Sequence, residues 1–235
     1  SDQGGATEQR WIVSGWVIFN NKGKPVRQYE PFFSPTTGFE FDVRRGVSAI
    51  VFYDPLSRVV GTARPDHTYE KTVFDSWSQI VWDANDTTMP PQQPTDLAFD
   101  PKDDPDIGPY FRRLPDAEYL PTWLDCRMDA SKALQAWPDS EEYGTPLPDN
   151  ARRRASERAA ADKAMAHACT PKRTLFDTLG RAFLTFSDNG EDLSQSGRRL
   201  ISAVRFELDV QGRQRAVGDA VAWSVDPQGR TVMRY

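Results

Sequence analysis

One recurring phrase constrains the fold of this chain more than any other feature. The stretch "FDTLGRAFLT" starts at Phe176, and "YDPLSRVVGT" starts at Tyr53. Each reads as an apolar residue, Asp or Asn, two free positions, Gly or Ser, then a base. The pattern occurs five times, starting at Phe19, Tyr53, Phe176, Leu208 and Val225. Asp or Asn at the first position of a type I turn accepts from backbone N–H groups further on. The residue after the two central positions adopts a left-handed conformation, which glycine takes without steric cost. The base then opens the return strand, its aliphatic stem lying along the surface. The turn residues are therefore Asn20 with Gly23, Asp54 with Ser57, Asp177 with Gly180, Asp209 with Gly212, and Asp226 with Gly229. Pro55 and Pro227 stand where proline presets φ for such a turn. Ser57 departs from the pattern, and a left-handed serine there costs roughly 1–2 kcal/mol relative to glycine.

A lone hairpin is marginal in water, whereas neighbouring hairpins stabilise one another. Five hairpins predict a mainly β chain in which antiparallel hairpins join into one long, curved sheet. Phe19, Tyr53, Phe176 and Trp223 are expected to line one face. The separations are 34, 123, 32 and 17 residues. Because 34 and 32 are near twice 17, a period of 17 is expected, broken by an insert.

The rest of the chain divides around that insert. Residues 1–87 hold short Val-, Ile- and aromatic-rich runs bounded by polar turns, the signature of a β meander. Residues 88–170 form the insert. Its first part, 88–120, is rich in Pro and Asp and reads as a long loop without regular structure. Two helices are then expected. One starts at Pro121, with Trp123, Arg127, Ala130, Leu134 and Trp137 in a largely apolar stripe, and stops at Pro138. The other starts with Asp149 or Asn150 as cap and ends by Pro171. Its Ala155, Ala159 and Ala166 would permit close approach to another surface. Strand-like runs resume over 171–235.

At this point the residues carry a resemblance. The repeated phrase resembles the YD repeat of the Rhs/YD-repeat proteins. Within that group, "GWVIFNNKGKPVRQYEPFFS" (15–34), "YDPLSRVVGTARPDHTYEKTVFDSW" (53–77), "DANDT" (83–87) and "TPKRTLFDTLGRAFLTFSDNG" (170–190) are similar to the B component of insecticidal toxin complexes. The resemblance covers most of 11–87 and 163–235 and is weak over 88–120. It implies a section of an Rhs-type β-shell that encloses a toxic effector polypeptide in a secreted bacterial complex. The implied partners are the remainder of the parent shell, the other toxin-complex components and the enclosed effector. That family's self-cleaving protease segment and its effector have no counterpart here, so no catalytic residue is carried over.

Other chemistries have little support in the residues. The net charge of −5 gives no pull toward nucleic acid, and the basic run "RRRASER" (152–158) reads as a solvated helix face. No apolar run is long enough to span a membrane. His67 sits in the turn "RPDHT", and His167 lies two residues from Cys169, a spacing that does not place both on one helix face. The cysteines Cys126 and Cys169 read as two buried thiols and match no zinc pattern. The acidic run "FDPKDDPDIG" (99–108) lacks the EF-hand Gly and Glu positions and reads as a solvated loop. We therefore expect no enzyme, no cofactor and no metal. Two further classes stay open: an extracellular module binding carbohydrate or protein, and a hydrolase using two converging carboxylates of "DPKDDPD" (100–106), which replacement of Asp103 and Asp104 would test. The first residue is not Met, which fits a piece of a longer chain, and such a piece is expected to associate through unpaired strand edges.

Overall fold

A computed structural model describes residues 10–38, 46–89, 99–140, 146–191, 199–218 and 233–234. The chain is mainly β and antiparallel. Strands β1 (Trp11–Val13) and β4 (Phe32–Ser34) pair as a small two-stranded sheet. The remaining strands form one eleven-stranded sheet. In spatial order these are β2 (Val17–Phe19), β3 (Pro25–Tyr29), β5 (Ser48–Tyr53), β6 (Val59–Ala63), β7 (Tyr69–Phe74) and β8 (Ser78–Trp82). Then come β9 (Lys172–Phe176), β10 (Ala182–Glu191), β11 (Arg199–Leu208), β12 (Gln214–Gly218) and β13 (Met233–Arg234). Apart from the departure of β4, spatial order follows sequence order. The outer edges of β2 and β13 have no partner among the described residues.

The alternation of directions has a consequence for the tips. The turns β2–β3, β5–β6, β7–β8, β9–β10 and β11–β12 all fall on one rim of the sheet, because every second connection returns to the same side. Four of the five phrases occupy that rim; the fifth, with Asp226 and Gly229, lies outside the described residues. In each of the four, the N–H of the left-handed residue donates to the carbonyl of the Asp or Asn, at 2.9–3.0 Å. The left-handed residues have φ of 69° (Gly23), 65° (Ser57), 73° (Gly180) and 82° (Gly212). The register slips at each tip, for instance between Phe52 and Tyr53, as a one-residue bulge requires. Ser57→Gly is expected to raise the unfolding free energy by up to about 1 kcal/mol, less than the full left-handed penalty because glycine also loosens the unfolded chain. Urea titration would measure it, and an unchanged midpoint would argue that Ser57 is unstrained.

The 17-residue period is corrected by this arrangement. Tips 34 residues apart (β2–β3 and β5–β6) are already neighbours on the rim, as are tips 32 apart (β9–β10 and β11–β12). No hidden tip lies between them. The first interval includes the departure to β4, and the second is consumed by β10 and β11, which have ten residues each. A fifth tip on this rim, at Asp75–Ser78, is a shorter two-residue turn in which Asp75 N–H donates to the Ser78 carbonyl at 2.9 Å. On the opposite rim, Arg64–His67 repeats the bulged geometry with arginine in the Asp position, and His67 is left-handed at φ 63°.

Strands β8 and β9 pair directly, through Gln79↔Thr174 and Ile80↔Arg173. The segment between them, 83–171, leaves the sheet and returns to the adjacent position, so it interrupts the sequence of the sheet without dividing the sheet. It packs on one face of β5–β7. That face presents Ile50, Phe52, Ala63 and Tyr69, which cluster with Ile107, Phe111 and Tyr119. The expected structureless loop is thus corrected. Within 99–120 lie two 3-10 turns (Pro101–Asp103 and Asp116–Glu118) and the short helix α1 (Gly108–Phe111). Phe111 is fully buried, edge-on to Phe52, Tyr69 and Tyr119 at 5.0–5.2 Å. Here Pro and Asp serve as turn formers, and the apolar residues between them supply the core.

The single helix expected from Pro121 is also corrected. It is two pieces, α2 (Asp125–Met128) and α3 (Ala130–Ala136), separated by Asp129 in extended conformation. The Asp129 carboxylate accepts from the N–H groups of Ser131 and Lys132 at 2.8 and 3.1 Å, so it caps a new helix instead of continuing the old one. Leu134, placed in the apolar stripe, is 45% exposed, and Ala133 is buried instead. The last helix, α4 (Pro148–Ala166), starts on proline with Leu147 as cap residue. Its one buried residue among 19 is Ala161, whereas Ala155, Ala159 and Ala166 face solvent. Ala161 joins Met89 and Leu124 in a second small core.

Candidate functional site

The most unusual chemistry lies where the acidic run meets the sheet. Lys71 alternates with Tyr69 on the inward face of β7, so period-two geometry drives its ammonium into the core. Lys71 is 1% exposed. Its Nζ lies 2.9 Å from both carboxylate oxygens of Asp104 and 2.6 Å from Asp106 Oδ2. Asp104 Oδ1 also accepts from the N–H groups of Asp106 (2.9 Å) and Ile107 (3.2 Å), and Oδ2 accepts from the Tyr69 hydroxyl at 2.9 Å. The Trp82 ring stands 5.1 Å from Nζ. Burial, then the Asp104 charge, pushes the Tyr69 hydroxyl far above its ordinary range, so it remains a donor.

The loop reaches this position through Gly108. A Cβ there would lie 2.3 Å from the Lys102 carbonyl oxygen, so only glycine lets the turn close beneath α1. The solvated acidic loop is accordingly corrected: Asp104 is 2% exposed and neutralised. Asp104 and Asp106 converge on Lys71, and Asp103 instead donates its backbone N–H to the Asp100 carbonyl at 2.9 Å. Among the described residues, Asp103 and Asp104 share no hydrogen-bond partner. The run's acids were visible in the sequence, but their partner was a single lysine 33 residues upstream. Its signal was an inward strand position occupied by a charge.

A second polar staple closes the base of the insert. Asp86 is 4% exposed. Its Oδ1 accepts from Thr170 N–H and hydroxyl at 2.9 and 2.8 Å, and Oδ2 accepts from Asp83 N–H at 2.8 Å. Burial raises the Asp86 carboxyl above its ordinary range. Cys169 donates its N–H to the Asp86 carbonyl at 3.1 Å, and its thiol points to the Met89 carbonyl. Burial pushes both thiols, Cys126 and Cys169, upward, opposite to the shift of an activated nucleophile. The cysteines are unpaired and only partly buried.

His67 stands in its expected turn, half-buried, and also ties that turn to the insert. Its Nδ1 lies 2.7 Å from the Pro121 carbonyl, which only accepts, so Nδ1 carries the proton. The basic run 152–158 likewise has internal partners. Arg154 bonds the Trp137 carbonyl and Asp139, and Glu157 pairs with Arg127 at 2.7 Å.

The tips themselves are small electrostatic units. Asp177 Oδ1 accepts from Leu179 and Arg181 N–H groups at 2.9 Å, and Oδ2 pairs with the Arg181 guanidinium at 2.7 Å. Asp209 treats Gln211 and Arg213 in the same way, and Asp54 accepts from Arg58 N–H and guanidinium. Asn20 makes the backbone contacts with Lys22 and Lys24 without a charge. Neighbouring tips are tied across the rim: Lys22 Nζ to the Pro55 carbonyl at 2.9 Å, and Arg181 Nη1 to the Asp209 carbonyl at 3.0 Å.

The guanidinium and then the N–H of Arg181 hold the Asp177 carboxyl below its ordinary value, and Arg213 does so for Asp209. A folded-state value below the unfolded one gives stability that is present above the ordinary carboxylate range. That stability is lost as pH falls through the folded value. Melting temperature is therefore expected to decline below about pH 4. Asp177→Asn with Asp209→Asn should flatten the decline while keeping the backbone caps, as Asn20 does. An unchanged acid limb would show that these tips do not carry it.

Comparison with known proteins places this architecture. No protein-family model and no curated protein matches the sequence. Among solved structures, a chain of the TcdB2-TccC3 complex is similar over 93% of this chain at 14% identity and TM-score 0.52. A chain of that complex with Cdc42 is similar over 93% at 16% identity and TM-score 0.55. A chain of the Photorhabdus luminescens Tc holotoxin pore is similar over 94% at 15% identity and TM-score 0.51. This chain spans only 7–8% of those chains. At such identity the likeness is one of fold, and it extends through the insert as well as the strands.

Proposed function

We propose that this chain is a non-enzymatic section of the wall of a hairpin-repeat shell. That shell encloses and protects a toxic effector in a secreted bacterial toxin complex. The observation that carries this reading is the sheet itself: strands in sequence order, tips tied together along one rim, and both outer edges unpaired among the described residues. Such a sheet is built to be extended by further strands. Its likeness to 7% of a much longer toxin-complex chain fits a segment of wall. The insert stands on one face of β5–β7.

The chain alone should then associate through its edges. Sedimentation over a wide concentration range is expected to show oligomers, and Ile18→Lys on β2 should reduce them. A monodisperse monomer at all concentrations would remove the shell reading.

One observation favours a second reading, an extracellular carbohydrate-binding module. Trp11, Trp16 and Phe32 line a groove of about 490 Å³ with Ser34 and Thr36, aromatic faces beside hydroxyls. A glycan screen decides it: saturable binding abolished by Trp11→Ala would establish this reading, and no binding would discard it.

A further inference from the structure

We propose that Lys71 and Asp104 condense to an intramolecular amide, a covalent cross-link that fastens the insert to strand β7. Three features at the buried node carry this inference.

The first is proximity. Nζ is equidistant, at 2.9 Å, from the two Asp104 oxygens. The fixed geometry of a carboxylate then holds Nζ within about 3.3 Å of Cγ, inside the range of a near-attack arrangement. The second is dryness. The side chains of Lys71 and Asp104 are 1% and 0% exposed. A buried ion pair carries a desolvation penalty on each ion. The amide carries no charge, and the water it releases has an outlet past Asp106, whose side chain is 36% exposed.

The third is a complete set of proton and charge handlers. Asp106 Oδ2, 2.6 Å from Nζ, accepts a proton from the ammonium and leaves the neutral amine that attacks. Asp106 passes this proton to Asp104 Oδ2, where the Tyr69 hydroxyl donates as well, so the amine meets a neutral carboxyl; the N–Cγ bond then forms as negative charge gathers on Oδ1. The N–H groups of Asp106 and Ile107 already donate to that oxygen, as an oxyanion site requires. Asp106 then carries a second proton from nitrogen to Oδ2, the Cγ–Oδ2 bond breaks, and water leaves. One ammonium and one carboxylate become one amide and one water. No oxidant or other reactant enters.

The test is mass spectrometry of the unaltered 235-residue chain after prolonged incubation in the folded state. The intact mass is expected to fall by one water. Trypsin applied after denaturation should then fail to cut beyond Lys71, and should release a branched peptide joining 59–102 to 103–112. Retention of the full sequence mass, with normal cleavage at Lys71, overturns the proposal. So does loss of water without the branched peptide, which would place the dehydration elsewhere. Because these readouts need no variant, misfolding of a mutant does not blunt them. Among variants, Lys71→Arg must keep its full mass, and Asp104→Asn should lose ammonia in place of water. Asp106→Asn should slow linkage at least tenfold; linkage at the original rate would remove Asp106 from the mechanism.

Discussion

Measured against the freshly folded chain, in which Lys71 and Asp104 are still an ion pair, Asp104→Ala is expected to lower the unfolding free energy by about 3–5 kcal/mol, the cost of leaving a buried lysine without its counter-charge. Against a total of about 5–15 kcal/mol for a typical domain, this is a large fraction. Asp106 cannot compensate, because it reaches Nζ through one oxygen and is itself partly exposed. The Tyr69 hydroxyl and the N–H groups of Asp106 and Ile107 lose their acceptor in the same step. The informative companion is Lys71→Met with Asp104→Leu. It removes both charges and fills the volume, so it should recover much of the loss. Thermal and urea unfolding of both variants would measure this. If the single and double changes destabilise equally, the node acts through packing and not through charge.

Phe111→Ala should cost a comparable amount, about 3–5 kcal/mol, for the cavity left among Phe52, Tyr69 and Tyr119. The loss should also be local. Phe111 belongs to the insert, and its contacts are with β5 and β7, far along the sheet from β10–β12. Hydrogen exchange is therefore expected to quicken over 99–120 while β10 and β11 keep their protection. Uniform loss of protection would mean that insert and sheet unfold as one unit.

The parts of this fold legible in the sequence are those set by local chemistry. An Asp or Asn four residues before an Arg or Lys, with Gly or Ser just ahead of the base, fixes a bulged tip, and the four described tips of this pattern have that geometry. Arg64–His67 reads as a turn but not as a further copy of the tip, because arginine replaces the acid and Asp66 caps from within the turn. The spacing misled because strand length varies: β6 has five residues and β10 ten, so tip separation does not count hairpins. Composition misled more severely over 99–120. Proline and aspartate argue against regular structure, yet they do not argue against burial, and Ile107, Phe111 and Tyr119 carry the main core. The Lys71 node depended on a long-range pairing that no periodicity encodes. Asp129 split a helix because its carboxylate competes for the same N–H groups that a continuous helix would use.

The direct pairing of β8 with β9 has a kinetic consequence. Among the described residues, the other adjacent strands from β5 to β12 follow one another in sequence with no other element between, so two separate meanders can zip from their own tips. Gln79 meets Thr174 only after the chain between them has closed a long loop, whose entropy must be met before any ladder bond forms. Assembly of the two meanders at this seam is then expected to limit the folding rate, which stopped-flow refolding would measure. Shortening the segment 83–171 would accelerate folding more than strengthening either meander.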